Sequence, residues 1–137
     1  MKKTGILNRD IATVLARIGH TDTIVIADCG LPIPDHVPCI DLSLKIGVPS
    51  FITVLDIICE DMIIEKMTFA QEIKGHNSML HAKLRKDYSE IPFDYVSHEV
   101  LKKILSETKA IIRTGEATPY ANVILQAGVL FADRKES

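Results

Sequence analysis

Two side chains near the N-terminus are of types that move protons. His20 follows a segment with helical periodicity, where the negative end of the helix dipole would favour the imidazolium form. Asp28 closes the β-branched run Thr23-Ile24-Val25-Ile26-Ala27, at the point where a buried strand would surface into a loop. Far along the chain, Tyr120 and Asn122 flank the start of another apolar run just after a turn, and strand ends of this kind are where polar side chains converge on pockets. The chemistry that suits such a set is general acid–base catalysis. An imidazole with an unperturbed pKa of about 6.5 can give and take protons near neutrality. Residue types alone leave the matter open, because a single histidine after a helix is more often a cap or a surface group and a single tyrosine more often packs.

Other chemistries find less support. His76 and His81, five positions apart, would point about 140° apart on one helix and could not chelate together. His20 with Asp28, or His98 with Glu99, could ligate a metal only if the fold united them, and no metal-ligand spacing is present. The seven glycines are scattered, and the loop after the first strand holds Gly30 followed by Pro32 and Pro34 rather than a phosphate cradle. Cys29 stands beside Asp28, whose charge would raise the thiol pKa and disfavour a nucleophilic thiolate. Cys29, Cys39 and Cys59 are odd in number and form no Cys-x-x-Cys pair, so they read as small, partly buried hydrophobes. No metal and no cofactor are expected.

The elements that would position these residues alternate along the chain. Asn8 is a helix N-cap with Asp10 in the first turn, and Ile11, Val14, Leu15 and Ile18 define a helix over residues 9–18, with Gly19 as its left-handed stop. Strands are expected over residues 23–27, 40–44, 62–69, 110–113 and 122–126. The apolar segment 50–58 reads as a central strand. Asn77 would cap a helix reaching residue 87, in which Lys83, Arg85 and Lys86 form a solvated face. Residues 92–96 read as a link to a helix over 97–107, capped by Ser97, with Val100, Leu101, Ile104 and Leu105 as its buried stripe. This order predicts an α/β fold: a single layered domain over residues 1–137, with a central mainly parallel or mixed sheet flanked by helices.

Bulk properties agree with that picture and exclude others. With 47% hydrophobic and 25% charged residues, the 137-residue chain can bury one core. Sixteen Lys and Arg against 18 Asp and Glu leave no basic surface for nucleic acid. Lys2 and Lys3 are followed by polar residues rather than by the apolar core of a signal peptide. No run approaches the roughly 18 apolar residues of a membrane span. A cytoplasmic protein with no membrane insertion is expected.

Four segments carry a resemblance. Met1-Lys2-Lys3-Thr4-Gly5-Ile6-Leu7-Asn8, Ile18-Gly19-His20-Thr21-Asp22, Asp28-Cys29-Gly30-Leu31-Pro32-Ile33-Pro34, and the ten residues from Arg113 to Asn122 resemble, in that order, the ribose pyranase / fucose mutarotase family, and D-ribose pyranases in particular. The family often has alanine where this chain has Cys29, a small-for-small change. The resemblance implies interconversion of the pyranose and furanose forms of free D-ribose, which supplies the furanose to ribokinase, without a cofactor. It implies His20 as proton donor and Asp28, His98, Tyr120 and Asn122 as sugar-contacting residues, with Asp28 taking sugar hydroxyls or orienting His20. It further implies a homo-oligomer of stacked pentameric rings, a decamer, with pockets near subunit boundaries. An L-fucose mutarotase, or a non-catalytic sugar-binding protein of a transport system, would use the same kind of pocket.

Overall fold

The computed structural model describes residues 1–131. Helix α1 spans Arg9–Arg17, and Asn8 Oδ1 accepts the Ile11 N–H at 2.9 Å as its cap. The helix then ends on an extended Ile18, and the left-handed residue is Thr21 (φ 72°) rather than Gly19, so the expected glycine stop is not used. Strands β1 (Thr23–Ala27) and β2 (Cys39–Asp41) follow. Next come α2 (Phe51–Asp61), β3 (Ile64–Ala70), α3 (Ile73–His76) and α4 (Ser78–Asp87). The chain continues through β4 (Phe93–Val96), α5 (His98–Ile104), a 3₁₀ turn (Leu105–Glu107), β5 (Ile111–Arg113) and β6 (Val123–Ala127).

The strands form one mixed sheet in the order β2-β5-β1-β6-β3-β4. The β2–β5, β5–β1 and β3–β4 pairs are parallel, and β6 runs antiparallel to both β1 and β3. Successive residues of β1 face opposite sides, as the period of two requires. Ile24 and Ile26 join Ile11 of α1 and Phe51, Leu55 and Ile58 of α2 on one face. Val25 and Ala27 lie under Leu101, Leu105 and the loop residues Leu31 and Val37 on the other. The layered α/β architecture with helices on both faces is therefore as expected.

Three further local expectations fail for physical reasons. Segment 50–58 is not a strand but most of α2, which Ser50 caps by accepting the Thr53 N–H. Its buried residues, Phe51, Val54, Leu55 and Ile58, repeat at helical spacing, which a nearly continuous apolar run conceals. Residues 93–96, read as a link, form the edge strand β4 beside β3. Asn77 does not cap α4, because its side-chain amide donates instead to Thr118 Oγ1 and the Pro119 carbonyl. Of the cysteines, Cys29 and Cys59 are partly buried but Cys39 is exposed. Burial pushes the Cys59 thiol up to about 11. The basic residues of α4 behave as a solvated face, with Lys83 paired to Asp87.

The segment that carries Tyr120 is anchored where β5 ends. A Cβ on Gly115 would lie 2.5 Å from the Lys45 and Val48 carbonyl oxygens, and Gly47 N–H donates to the Gly115 carbonyl at 2.6 Å. Only glycine permits this approach of two backbones. Gly115→Ala is therefore expected to destabilise the protein by about 1–3 kcal/mol, read as a lowered urea midpoint with an unchanged slope.

Candidate active site

A cleft of about 370 Å³ opens beyond the C-terminal end of β1, lined by Asp28, Gly30, Pro32, His98, Glu116 and Tyr120 among others. Its size falls at the small end of ligand pockets, roughly 300–1,000 Å³. The residues lining it include two carboxylates, an imidazole and a phenol, and neither lysine nor arginine.

Asp28 is held from three directions. Its own N–H donates to Asn122 Oδ1 at 2.8 Å, Asn122 Nδ2 donates to Asp28 Oδ2 at 3.1 Å, and Gly30 N–H donates to Asp28 Oδ1 at 2.9 Å. Asn122 is wholly buried, so it sits behind Asp28 and fixes the carboxylate rather than lining the opening. Arg113 steadies the same loop from beneath: Nε and Nη2 donate to the Cys29 carbonyl and Nη1 donates to Asp41 Oδ2. The Asp41 carboxyl is held below the usual range first by hydrogen bonds from Ser43 and then by Arg113, so the guanidinium is neutralised away from the cleft.

Tyr120 has a φ of 58°, a conformation that a bulky side chain adopts only when its surroundings impose it. Its ring meets His98 edge-on with centroids 5.1 Å apart, and His76 from another side at 5.5 Å. His98 is the first residue of α5, and its backbone N–H donates to the Glu72 carboxylate. The ring Nδ1 of His98 is buried and has no protein partner, and a buried polar nitrogen left so invites a ligand hydroxyl. Glu116 accepts the Phe51 N–H in the first turn of α2 through Oε1 and the Thr118 hydroxyl through Oε2. The positive end of that helix therefore compensates its charge.

The structure thus brings Asp28, His98, Tyr120 and Asn122 together, and it does not bring His20 to them within one chain. His20 precedes β1 and Asp28 follows it, so the five-residue strand, about 16 Å long, lies between the two. Asp28 accordingly does not hold His20; the contact is with Glu65, whose Oε2 lies 2.9 Å from His20 Nε2. His76 and His81 belong to different helices, and the His81 ring bonds the Tyr95 hydroxyl. Sequence reading missed Glu65, which is remote in the chain from His20 and had no local signal. It also passed over Glu116 as a cleft residue and His76 as a neighbour of the Tyr120 ring, although Glu116 stood inside the segment 113–122 that carried the family resemblance.

Comparison with known proteins places the chain in a family. A family model described as the RbsD / FucU transport protein family matches residues 1–130. The chain belongs to that family. It is 59% identical over 131 residues to a D-ribose pyranase of Bacillus cereus, covering 96% of this chain and 100% of that protein. Among solved structures it resembles Bacillus subtilis RbsD complexed with D-ribose, at 54% identity and a TM-score of 0.93, over 96% of this chain and 100% of that one. A fucose mutarotase from Streptococcus pneumoniae in complex with L-fucose shares the fold at 24% identity and a TM-score of 0.77, covering 91% of this chain and 95% of that one.

Two substitutions test the geometry of the cleft. Asn122→Ala leaves the half-buried N–H and one carboxylate oxygen of Asp28 without their protein partners, and should cost about 1–3 kcal/mol in urea unfolding. Tyr120→Phe keeps both ring contacts and removes one hydroxyl, so sugar affinity measured by calorimetry should weaken up to about tenfold with stability nearly unchanged.

Proposed function

We propose that the protein interconverts the pyranose and furanose forms of free D-ribose by acid–base ring opening and reclosure. The observation that carries this reading is the charge of the cleft. Two carboxylates with no lysine or arginine among the lining residues repel a phosphorylated sugar and suit a neutral polyol. Asp28 accepts hydrogen from sugar hydroxyls, the unpaired His98 Nδ1 takes one more partner, and the Tyr120 hydroxyl supplies a further contact. Asn122 keeps Asp28 in place. The high identity to a D-ribose pyranase and to an RbsD seen with D-ribose supports the choice of sugar and reaction.

Opening the pyranose requires a proton on the ring oxygen and loss of one from the anomeric hydroxyl. A different hydroxyl then attacks the aldehyde to close the furanose. No electrons change hands and no group leaves, so a proton carrier suffices. His20 is the proposed carrier. Because β1 separates it from Asp28 in one chain, the site needs His20 of a second copy beside the cleft of the first. A homo-oligomer follows, and stacked pentameric rings, as the family resemblance implies, would supply repeated junctions of this kind. A free intracellular sugar as substrate fits a cytoplasmic protein, and no helix among the described residues is long and apolar enough to cross a membrane.

Saturation-transfer NMR on D-ribose tests the reaction. The protein should accelerate pyranose–furanose exchange, and His20→Ala should lose roughly 10²- to 10⁴-fold while still binding ribose in calorimetry. Ribose binding without accelerated exchange would instead indicate a sugar-binding protein, and faster anomer exchange on L-fucose than ring exchange on ribose would indicate a mutarotase. Ribose 5-phosphate should bind far more weakly than ribose. Mixing inactive His20→Ala and Asp28→Asn chains before assembly should restore exchange, since some junctions then pair an intact His20 with an intact Asp28.

A further inference from the structure

Glu65 stands at an irregularity in β3. Ile64 pairs with Ala127 and Lys66 with Gln126, so Glu65 is an extra residue opposite no partner, as in a β-bulge. Bulges of this kind redirect a side chain. Here the redirected carboxylate is held at both oxygens: Oε2 meets His20 Nε2 at 2.9 Å, and Oε1 accepts from Gln126 Nε2. The neighbouring strand end closes on the bulge, since a Cβ on Gly128 would lie 3.3 Å from Glu65 Cβ and 3.1 Å from Ile63 Cγ2.

The loop that carries His20 is fixed with equal care. Thr21, a β-branched residue, holds a φ of 72°, and its N–H donates to the Ala127 carbonyl. Asp22 accepts the Gly19 N–H through Oδ2, while the Ala127 N–H donates to the Asp22 carbonyl. An ion pair between groups as exposed as His20 and Glu65 contributes little to stability. A strained loop, a bulge and a carboxylate fixed at two points are more apparatus than such a pair needs.

We infer that Glu65, itself held by Gln126, is a positioning residue that fixes the tautomer and orientation of His20 for proton transfer. The inference rests on the reading of His20 as the proton carrier. With Nε2–H donated to Glu65, Nδ1 is the nitrogen left to exchange a proton with the sugar, and the carboxylate stabilises the imidazolium formed when it does so. The charged groups around the pair are few. Glu65 and Lys66 come from β3, with Lys66 extended toward Asp94; Gln126, uncharged, comes from β6; and Asp22 comes from the loop of His20 itself. Hydrogen bonds from Gln126 and then His20 keep the Glu65 carboxyl below its ordinary range, so it is ionised near neutrality.

The test is Glu65→Gln in the assembled protein, which retains a hydrogen-bonding side chain and removes the charge. kcat for ribose ring exchange should fall roughly 10- to 100-fold with KM unchanged, because the sugar-holding residues lie beyond the other end of β1. Loss of the carboxylate removes the group that stabilises the imidazolium formed in the transfer, so the pH dependence of kcat should change in Glu65→Gln. The Nδ1–H tautomer should appear in the ¹⁵N spectrum, and Glu65→Asp should restore part of the rate. Unchanged pH profile of kcat and unchanged tautomer in Glu65→Gln would overturn the inference while His20→Ala remained inactive. Full exchange in His20→Ala would overturn the underlying reading, and the inference with it.

Discussion

The antiparallel pairing of β1 with β6 is the constraint on which the rest of the molecule depends. Thr23 lies opposite Gln126 and Ile26 opposite Val123, so the residues before β6 meet the end of β1 and the residues after Val123 meet its start. At one end this sets Asn122 against Asp28. At the other it brings the Ala127 carbonyl to Thr21, beside His20, and the pairing of β6 with β3 on its other side sets Gln126 against Glu65. A strand pair deep in the sheet cannot slip by one residue without turning its buried side chains outward, so both constellations share one register. The same rigidity keeps them a strand length apart.

Charge is distributed in keeping with a neutral ligand. Arg113, which contacts the Asp28 loop, is spent on the Cys29 carbonyl and on Asp41 and lends support without facing the cleft. Glu116 does face it, but its carboxylate is satisfied by the first turn of α2 and by Thr118. Asn77 then ties Thr118 and Pro119 to the start of α4, which explains why it gives up its expected role as a cap. Tyr120, strained and set against two histidines, is held by this chain of contacts rather than by its own strand.

How much was legible depended on whether the deciding contact was local. The α1 cap, the limits of β1 and the Ser97 cap of α5 involve residues three or four positions apart, and these were read correctly. Segment 50–58 was not, because periodicity alone does not separate a buried strand from a buried helix when almost every residue is apolar. Strand β4 exists through its pairing with β3, a contact across more than twenty residues that its four-residue sequence does not announce. Asp28, Tyr120 and Asn122 lie at the edges of recognisable elements in segments that carry the family resemblance, whereas His98 lies in none of those segments and entered only through what the resemblance implies; the structure sets all four at one cleft.

By itself, then, the sequence determined the class of fold, most of its elements, and the residue types available for moving protons on an uncharged ligand, because apolar period, caps and charge composition act over a turn or a strand at most. The tertiary structure alone decided that His20 stands apart from the other four, that Glu65 rather than Asp28 holds it, and that Asn122 serves from behind. Those outcomes follow from strand order and from one bulge in β3, and both arise from pairings between segments far apart in the chain, which no local pattern encodes.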